Sequence, residues 1–221
     1  MNSVLKMVDD ITLNINFMQR NDGINFKART YVPYPMIRTN IELKEYIIDV
    51  TKDKNSDFVR IGYTASDKVI EQGSRVKNIY IMIEGLIKCF LIEESGKEFV
   101  QEFFGTGELF GELEIVNGST SLCAVEAITD IEVFKIKHEK FLKLIEKDKK
   151  LNRLYINALT SKIYYKGTRH SYNQLHTLEE KLSSLSQFDE NARSKIHKQD
   201  LASYFGVSIR SLNRALRKLN G

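Results

Sequence analysis

The sequence has few of the residues and segments that typify stapled, secreted or membrane-spanning proteins. Its 221 residues include two Cys, two Pro and no Trp, and no run of eighteen apolar residues occurs. The first residues, Met1 to Phe17, interrupt their apolar positions with Asp9, Asp10 and several Asn instead of forming the apolar core of a signal peptide. We therefore expect neither secretion nor a membrane span, and predict a cytoplasmic protein. The remaining composition, 42% hydrophobic and 28% charged, is that of one or two globular domains.

Thiols and imidazoles are too sparse to predict a cofactor. Cys89 and Cys123 lie far apart in apolar, alternating segments, so thiols alone cannot assemble a disulfide framework or a zinc or iron–sulfur ligand set. We interpret both as small core residues, with redox sensing as an open alternative. Residues 58–134 contain no His, which removes the metal ligands and the acid–base partner that a cupin-type enzyme needs. We predict no metal, no cofactor and no enzymatic activity.

Positive charge is concentrated at the C-terminal end. Residues 1–134 carry 14 Lys and Arg against 21 Asp and Glu, whereas residues 135–221 carry 19 against 8. This division predicts an acidic or neutral module joined to one that meets a polyanion. A helical segment with a solvated, Lys-rich face is the alternative.

The pattern changes along the chain predict four parts. Residues 1–55 form an N-terminal extension with both prolines and a helix at about Ile41 to Val50, and we assign it no chemistry. Residues 56–137 alternate in short apolar runs separated by Gly about every ten residues, which predicts a β-sandwich or jelly roll of about eight strands. Residues 138–176 hold a linker and a long helix that continues to Leu175. Residues 177–221 begin with a short helix, Leu178 to Leu185, and end in the most informative motif.

The long helix carries an apolar stripe whose members recur three and four residues apart. Either the chain's own sandwich covers this stripe or a second copy packs along it. The candidate residues are Leu151, Tyr155, Ala158, Leu159 and Ile163.

The last block has the spacing of a tight helix-turn-helix. Ala202 lets a second helix cross closely, Gly206 accepts a positive φ in the turn, and Leu212 fills the angle between the helices. Ser208 is placed as the N-cap of a helix from about Ile209 to Leu219. The predicted core of the motif is Leu201, Ala202, Phe205, Gly206, Leu212 and Leu216.

The outer face of the second helix presents side chains that suit DNA. Arg210 and Arg214 are one turn apart, so both can enter one major groove, where bidentate contact to guanine is the commonest specific contact. The predicted base-reading residues are Ile209, Arg210, Asn213 and Arg214. The predicted phosphate contacts are Lys198, Ser208 and Arg217. A plain helical hairpin with solvated arginines is the alternative.

Five motifs in this order give the chain a family resemblance: Tyr80-Ile-Met-Ile-Glu-Gly85, Gly96-Lys97-Glu98, Gly107-Glu-Leu-Phe-Gly-Glu-Leu113, Ile136-Lys-His-Glu-Lys-Phe141 and Gln199-Asp-Leu-Ala-Ser-Tyr-Phe-Gly-Val-Ser208. Over residues 56–221 the chain resembles the cyclic-AMP receptor protein/FNR family of bacterial transcription regulators. The resemblance implies an α+β protein: a double-stranded β-helix (jelly roll) sensor, a long dimerisation helix and a C-terminal helix-turn-helix domain. It also implies a homodimer that binds a palindromic operator in double-stranded DNA, with RNA polymerase and a small-molecule effector as further partners, and it favours pairing along the long helix.

The effector site implied by the resemblance is Gly111, Glu112, Leu113 and Ser121. Glu112 matches the family's ribose-binding Glu. The Arg-Ser pair of the phosphate-binding stretch is replaced by Ser121-Leu122, and a buried phosphate without its arginine loses a strong bidentate bond. The Thr-Ser pair that meets the adenine is replaced by about Lys166-Gly167. We therefore do not expect cyclic AMP to be the effector, and a constitutively active regulator is equally open.

The other sensor types of the family are also unsupported. Its iron–sulfur branch needs four cysteines, and haem would need a His in or beside the sandwich, whereas every His follows residue 137. Phe103-Phe104 and Phe110-Gly-Glu-Leu-Glu114 are similar to YeiL-type regulators. The chain stops two residues past Leu219, so we expect most of the family's β-hairpin wing to be missing. A sensor-like module that regulates a protein partner without DNA binding is the alternative function.

Overall fold

The computed structural model describes residues 35–114, 118–185 and 194–220. The described strands are β1 (Ile37–Arg38), β2 (Val59–Tyr63), β3 (Lys68–Ile70), β4 (Asn78–Glu84), β5 (Ile87–Ile92), β6 (Glu98–Phe104), β7 (Leu109–Phe110), β8 (Ala124–Ala127) and β9 (Ile131–Lys137). The described helices are α1 (Ile41–Val50), α2 (His138–Lys147), α3 (Lys149–Leu175), α4 (Leu178–Leu185), α5 (Lys198–Tyr204) and α6 (Ile209–Asn220).

Two sheets form the predicted jelly roll. One has the strand order β1-β6-β5-β8-β3 and the other β2-β9-β4-β7, and every pair is antiparallel except the parallel pair of β1 and β6. Ile87, Val125 and Val133 come from both sheets and lie in one core cluster, as expected for strands whose alternate side chains face inward. The sandwich is thereby confirmed, while β1 and β7, of two residues each, were not predicted.

Residues 36–50 are part of the sandwich rather than a separate extension. Ile37 pairs with Phe103, and Leu43 and Ile47 of α1 are buried in a core cluster that also contains strand residues. Gly107 has φ +81°, and a Cβ there would lie 1.8 Å from the carbonyl oxygen of Asn40, so this approach requires glycine. Residues 36–50 therefore share a core with the sandwich, and the predicted boundary at residue 55 does not separate them from it. Tyr31 to Tyr34 lie outside the described residues.

The N-cap residue of the long helix α3, Asp148, also binds α1. Asp148 Oδ1 accepts hydrogen bonds from the backbone N–H groups of Lys150 and Leu151, both at 3.0 Å. The hydroxyl of Tyr46 donates to Asp148 Oδ2 at 2.6 Å. One carboxylate thus starts α3 and fixes α1 beside it, and α3 ends at Leu175 as predicted.

The predicted dimer stripe needs a correction. Leu151, Tyr155 and Ala158 are 0%, 7% and 2% exposed, because they pack against the chain's own sandwich and α1. Leu159 is half-buried against the same cluster, and Ile163 is 74% exposed. The alternative of packing within the chain therefore describes the first three residues. A helical period identifies a face that is covered but does not identify what covers it.

Of the last two helices, α5 packs on β6 of the five-stranded sheet, and α6 packs on α4 and α5. Leu201, Ala202 and Leu212 lie in one core cluster with Phe90 and Val100 of the sandwich. Gly206 lies in the turn between α5 and α6 with φ +67°, and the hydroxyl of Ser208 accepts the N–H of Ser211 at 3.1 Å, which confirms the predicted glycine and N-cap. The predicted loop at residues 186–194 lies almost wholly outside the described residues. No helix in the described part of the chain has both the length and the apolar character to cross a bilayer.

Candidate functional site

The segment that matches the effector site lies inside the sandwich. Gly111 has φ +82°, and a Cβ there would come within 2.7 Å of the carbonyl oxygen of Asn78, so no larger residue fits this turn without strain. The turn places Glu112 in the interior, 2% exposed, whereas the next residue, Leu113, is 49% exposed. Of the segment Gly111 to Leu113, only the glutamate therefore presents a functional group to the interior.

Lys162 of α3 is the partner of Glu112. Its ammonium forms an ion pair with Glu112 Oε1 and donates to the carbonyl oxygen of Leu109 at 2.5 Å. Lys162 is 7% exposed, and its Nζ lies 5.4 Å from the centroid of the Phe104 ring. The ammonium of Lys162 therefore occupies the position next to Glu112. A ligand hydroxyl that binds this carboxylate has to displace the ammonium.

Ser121 is also used within the chain. Its Oγ lies 2.7 Å from the carbonyl oxygen of Cys123 and 3.0 Å from Glu114 Oε1. Ser121 is buried, and Leu122, at the position where the family has its second phosphate-binding residue, is 66% exposed. The loop therefore presents a carboxylate rather than a guanidinium to this hydroxyl.

A second set of buried charges lies beside this site. Arg38 of β1 donates from Nη2 to Glu108 at 3.0 and 3.1 Å, and from Nη1 to Glu102 at 3.2 Å. The other oxygen of Glu102 lies 3.1 Å from the Nζ of Lys166 on α3. Burial raises the pKa of Glu108, although the guanidinium of Arg38 acts in the opposite direction.

The interior is consequently rich in carboxylates. Glu102, Glu108 and Glu112 are each at most 3% exposed, and the buried cations that contact them are Arg38 and Lys162. Because both terminal nitrogens of Arg38 already donate to carboxylates, this guanidinium is not available to a phosphate without rearrangement. The charge of the site disfavours an anionic ligand.

A buried ion pair fixes α5 to the sandwich. Lys88 Nζ lies 2.9 Å from Asp200 Oδ1 and 3.2 Å from Glu126 Oε1. Burial lowers the pKa of Lys88, but its hydrogen bonds to the two carboxylates outweigh this and leave the pKa above its ordinary value. The hydroxyl of Ser203 accepts the N–H of Val100 at 2.9 Å. The first helix of the C-terminal motif is thus held by polar contacts as well as by its apolar core.

The side chains predicted to contact DNA lie mainly on the exposed side of α6. Arg210, Arg214 and Arg217 are exposed, Ile209 is 40% exposed, and Asn213 is half-buried. Leu212 and Ala215 on the opposite side are buried in the motif's core, with Leu201, Ala202, Phe205, Val207 and Leu216 in or against the same cluster. Lys198 and Ser208 are exposed at the starts of α5 and α6. The structure thus places Ile209, Arg210, Arg214 and Arg217 on the side of α6 away from its buried residues, and the DNA contacts of all the predicted residues stay predictions.

Of the residues in the buried charge contacts, Glu112 was identified from the sequence, whereas the following were not: Arg38, Lys88, Glu102, Glu108, Glu126, Lys162 and Asp200. Lys162 gave a signal, because it lies four residues after Ala158 on the buried side of an amphipathic helix. A cation on an apolar face indicates a buried partner. Arg38 gave none, since its partners are more than sixty residues away in the sequence.

Known proteins match both the sequence and the fold. Residues 60–148 match the cyclic nucleotide-binding domain family. The chain is 29% identical over 85 residues to the cAMP-activated global transcriptional regulator CRP of Salmonella typhimurium, a match that covers 38% of this chain and 40% of that protein. The chain thus spans about two fifths of the length of this relative. The regulator of the same name from Pasteurella multocida is 21% identical over 169 residues, which cover 71% of this chain and 80% of that protein.

Two solved structures share the arrangement of sandwich and helices. The c-di-GMP responsive global regulator CLP of Xanthomonas campestris aligns with a TM-score of 0.66 at 18% identity, over 82% of this chain and 92% of that one. FixK2 from Bradyrhizobium japonicum aligns with a TM-score of 0.64 at 19% identity, over 74% of this chain and 84% of that one. At these identities the alignments concern the fold.

Proposed function

Since the chain is a member of the cyclic-AMP receptor protein/FNR family, we propose that it is a homodimeric, sequence-specific DNA-binding transcription regulator of the cytoplasm. Cyclic AMP is not its effector in this proposal. The α5–turn–α6 unit is the helix-turn-helix, and α6 is the helix that enters the major groove.

The observation that carries the proposal is the two-sided character of α6. One side anchors in the protein through Leu212, 0% exposed, and the other presents Arg210, Arg214 and Arg217 to solvent. A surface helix with three exposed guanidinium groups within eight residues suits the major groove, because the fork of each group matches the O6 and N7 acceptors of guanine. Residues 193–221 carry seven Lys and Arg against one Asp, which adds attraction to the phosphates.

The side of α3 opposite the sandwich supports the dimer. Ile156 and Ile163 are 48% and 74% exposed and lie seven residues apart, and Thr160 and Gly167 repeat the same spacing. A Cβ built on Gly167 would have no neighbour within 4 Å, so space for a second helix exists there. A second copy of the chain packing along this face would bury the two isoleucines and keep Leu151, Tyr155 and Ala158 in the intrachain core.

The filled interior supports independence from cyclic AMP. The ion pair of Lys162 with Glu112 satisfies the carboxylate that a ribose hydroxyl would otherwise meet. Ser121, the remaining candidate, is bonded within its own loop. A cyclic phosphate entering this interior would lie among three buried carboxylates, and Arg38, the arginine that the structure describes beside them, already donates to two of these.

The test is a selection from a randomised DNA duplex library with the purified full chain, carried out with and without cyclic AMP. We expect enrichment of an inverted repeat whose half-sites are about one helical turn apart, to the same extent in both arms. The variant Arg210→Ala/Arg214→Ala is expected to lose the enrichment. The matched control Lys143→Ala/Lys147→Ala, which removes two exposed positive charges from α2, is expected to keep it.

Two results would contradict the proposal. Failure to enrich any sequence at low salt would remove the DNA-binding function and favour a module that regulates a protein partner. Enrichment that appears only with cyclic AMP would agree with a DNA-binding regulator. It would contradict the proposal that cyclic AMP is not the effector.

A further inference from the structure

The two cysteines, far apart in sequence, are neighbours on one face of the five-stranded sheet. Cys89 of β5 pairs in register with Val125 of β8, and Cys123 lies two residues before Val125, so the two cysteines occupy a diagonal cross-strand position. Their thiols hydrogen-bond to each other. These are all the cysteines of the chain, and both are free thiols.

The charges around the pair distinguish the two sulfur atoms. The hydrogen bond from Cys89 and the positive charge of Lys166 lower the pKa of the Cys123 thiol. The same hydrogen bond and burial raise the pKa of Cys89. Lys166 is held in place by Glu102, which is the register partner of Cys89 on β6. Cys123 is consequently the more acidic thiol of the pair.

The backbone at Cys123 is not part of the strand pairing between β5 and β8. β8 begins at Ala124, so Cys123 lies just outside the strand ladder that fixes β5. Cys123 is 8% exposed and Cys89 is half-buried, so neither residue is completely enclosed. A disulfide requires the two Cβ atoms to come within about 4.5 Å, so its formation calls for a shift of Cys123 toward Cys89 if the two Cβ atoms are farther apart than this.

We infer that Cys89 and Cys123 form a redox-active dithiol that hydroperoxides convert into an intrachain disulfide. The Cys123 thiolate attacks one peroxide oxygen, the O–O bond breaks, and the other oxygen takes up a proton and leaves as water or an alcohol, so that Cys123 becomes a sulfenic acid. The sulfur of Cys89 then attacks the sulfur of Cys123 and gives up its proton, and the S–O bond breaks with release of water. Two thiols are oxidised and one peroxide is reduced.

A disulfide between Cys89 and Cys123 would join two segments of the chain. Cys89 follows Lys88, which binds Asp200 of α5, and Cys123 follows the loop whose Ser121 contacts Glu114. The oxidised pair would link these two segments covalently. The inference concerns chemistry at the thiols and does not depend on DNA binding.

The experiment uses the reduced full chain treated with hydrogen peroxide, blocked with N-ethylmaleimide and digested with trypsin without reductant. We expect the intact protein to lose two hydrogen atoms and to take up no maleimide. We also expect peptide 89–97 to be joined to peptide 98–135, and dithiothreitol to reverse the change. In Cys89→Ser, Cys123 is expected to stop at the sulfenic acid and to react with dimedone, whereas Cys123→Ser is expected to leave Cys89 unreacted.

A charge variant tests the assignment of the thiolate without altering either cysteine. Lys166→Met is expected to slow oxidation of Cys123 several-fold, and Lys143→Met on α2 is expected to leave the rate unchanged. The inference is overturned if both thiols of the wild-type chain still react with maleimide after peroxide, or if only interchain disulfides form. Because those readouts use the unmodified sequence, a failure of any variant to fold does not affect them.

Discussion

Lys162 on the long helix forms an ion pair with Glu112 inside the sandwich. Glu112 is the residue that matches the ribose-binding Glu of the family. Two residues fifty positions apart thereby satisfy each other's charge at the place where the family resemblance predicts a ligand. The pair also joins α3 to the loop after β7, so the same contact that fills the site fixes the helix against the sandwich.

The first prediction concerns this ion pair. Lys162→Met should lower the free energy of unfolding by about 3–5 kcal/mol, because it leaves a buried carboxylate without its counter-charge. The double variant Lys162→Met/Glu112→Gln should recover more than half of that loss, since no unpaired charge remains. Urea unfolding followed by circular dichroism measures both. A single variant as stable as the wild type would show that Glu112 does not depend on Lys162.

The second prediction separates base reading from phosphate contact. Arg214→Ala should weaken binding to the selected operator by about 1–3 kcal/mol and relax the sequence choice at one position of each half-site. Lys198→Ala should weaken binding to operator and scrambled duplex alike and reduce the slope of affinity against salt by about one counterion. Fluorescence anisotropy on both duplexes at several salt concentrations measures these effects. Unchanged operator affinity in Arg214→Ala would remove this residue from the reader set.

The third prediction concerns the outer face of α3. Ile163→Glu should raise the dimer dissociation constant roughly tenfold or more, because it places a charge in an apolar helix interface. Leu142→Glu replaces a residue that is 36% exposed on α2 and serves as the matched control, with no expected change. Sedimentation velocity over a concentration series measures both. Identical dimer dissociation in the two variants would place the interface elsewhere.

The fourth prediction is a pH dependence at the junction of α1 and α3. The hydrogen bond to the Asp148 carboxylate, with burial, raises the pKa of Tyr46 to about 12, above its ordinary value of 10.0. The folded state therefore favours the protonated phenol. The stability that this bond contributes is fully present below the unfolded-state value and is lost as the pH rises through the folded-state value.

The measurement is the difference in unfolding free energy between the wild type and Tyr46→Phe. We expect about 1–3 kcal/mol at pH 8, in the range of a hydrogen bond to a charged group, and a decline above pH 10. Asp148→Asn keeps a residue that can cap α3 but removes the charge, so it should reduce the decline to the part that burial causes. A difference that stays constant up to pH 11 would mean that the two groups are not coupled.

Local patterns in the sequence were sufficient to predict several helix bounds. The bounds of α1 and α4 and the end of α3 at Leu175 agree with the prediction, because amphipathic period and capping residues act within a few positions. Ser208 and Gly206 were identified for the same reason, since an N-cap and a positive φ are local requirements.

Contacts between distant segments were not accessible in this way. The stripe on α3 indicated a covered face, but both a second copy and the sandwich satisfied the pattern, and only the structure assigned Leu151 to the core. The neighbouring thiols of Cys89 and Cys123 depend on the register of β5 with β8, which no local pattern specifies. Arg38 in a strand of two residues is a further case, because so short a strand has no detectable alternation.

Any fragment used to study the sandwich alone must include that short strand, Ile37–Arg38. A truncated chain starting at residue 56 would lack the guanidinium of Arg38, so Glu102 and Glu108 would lose the cation that lies between them. It would also expose the apolar surface on which Leu43 and Ile47 rest. A ligand or stability measurement on such a fragment would report on a rearranged interior, whereas a truncation that begins before Met36 keeps Arg38 paired with Glu102 and Glu108.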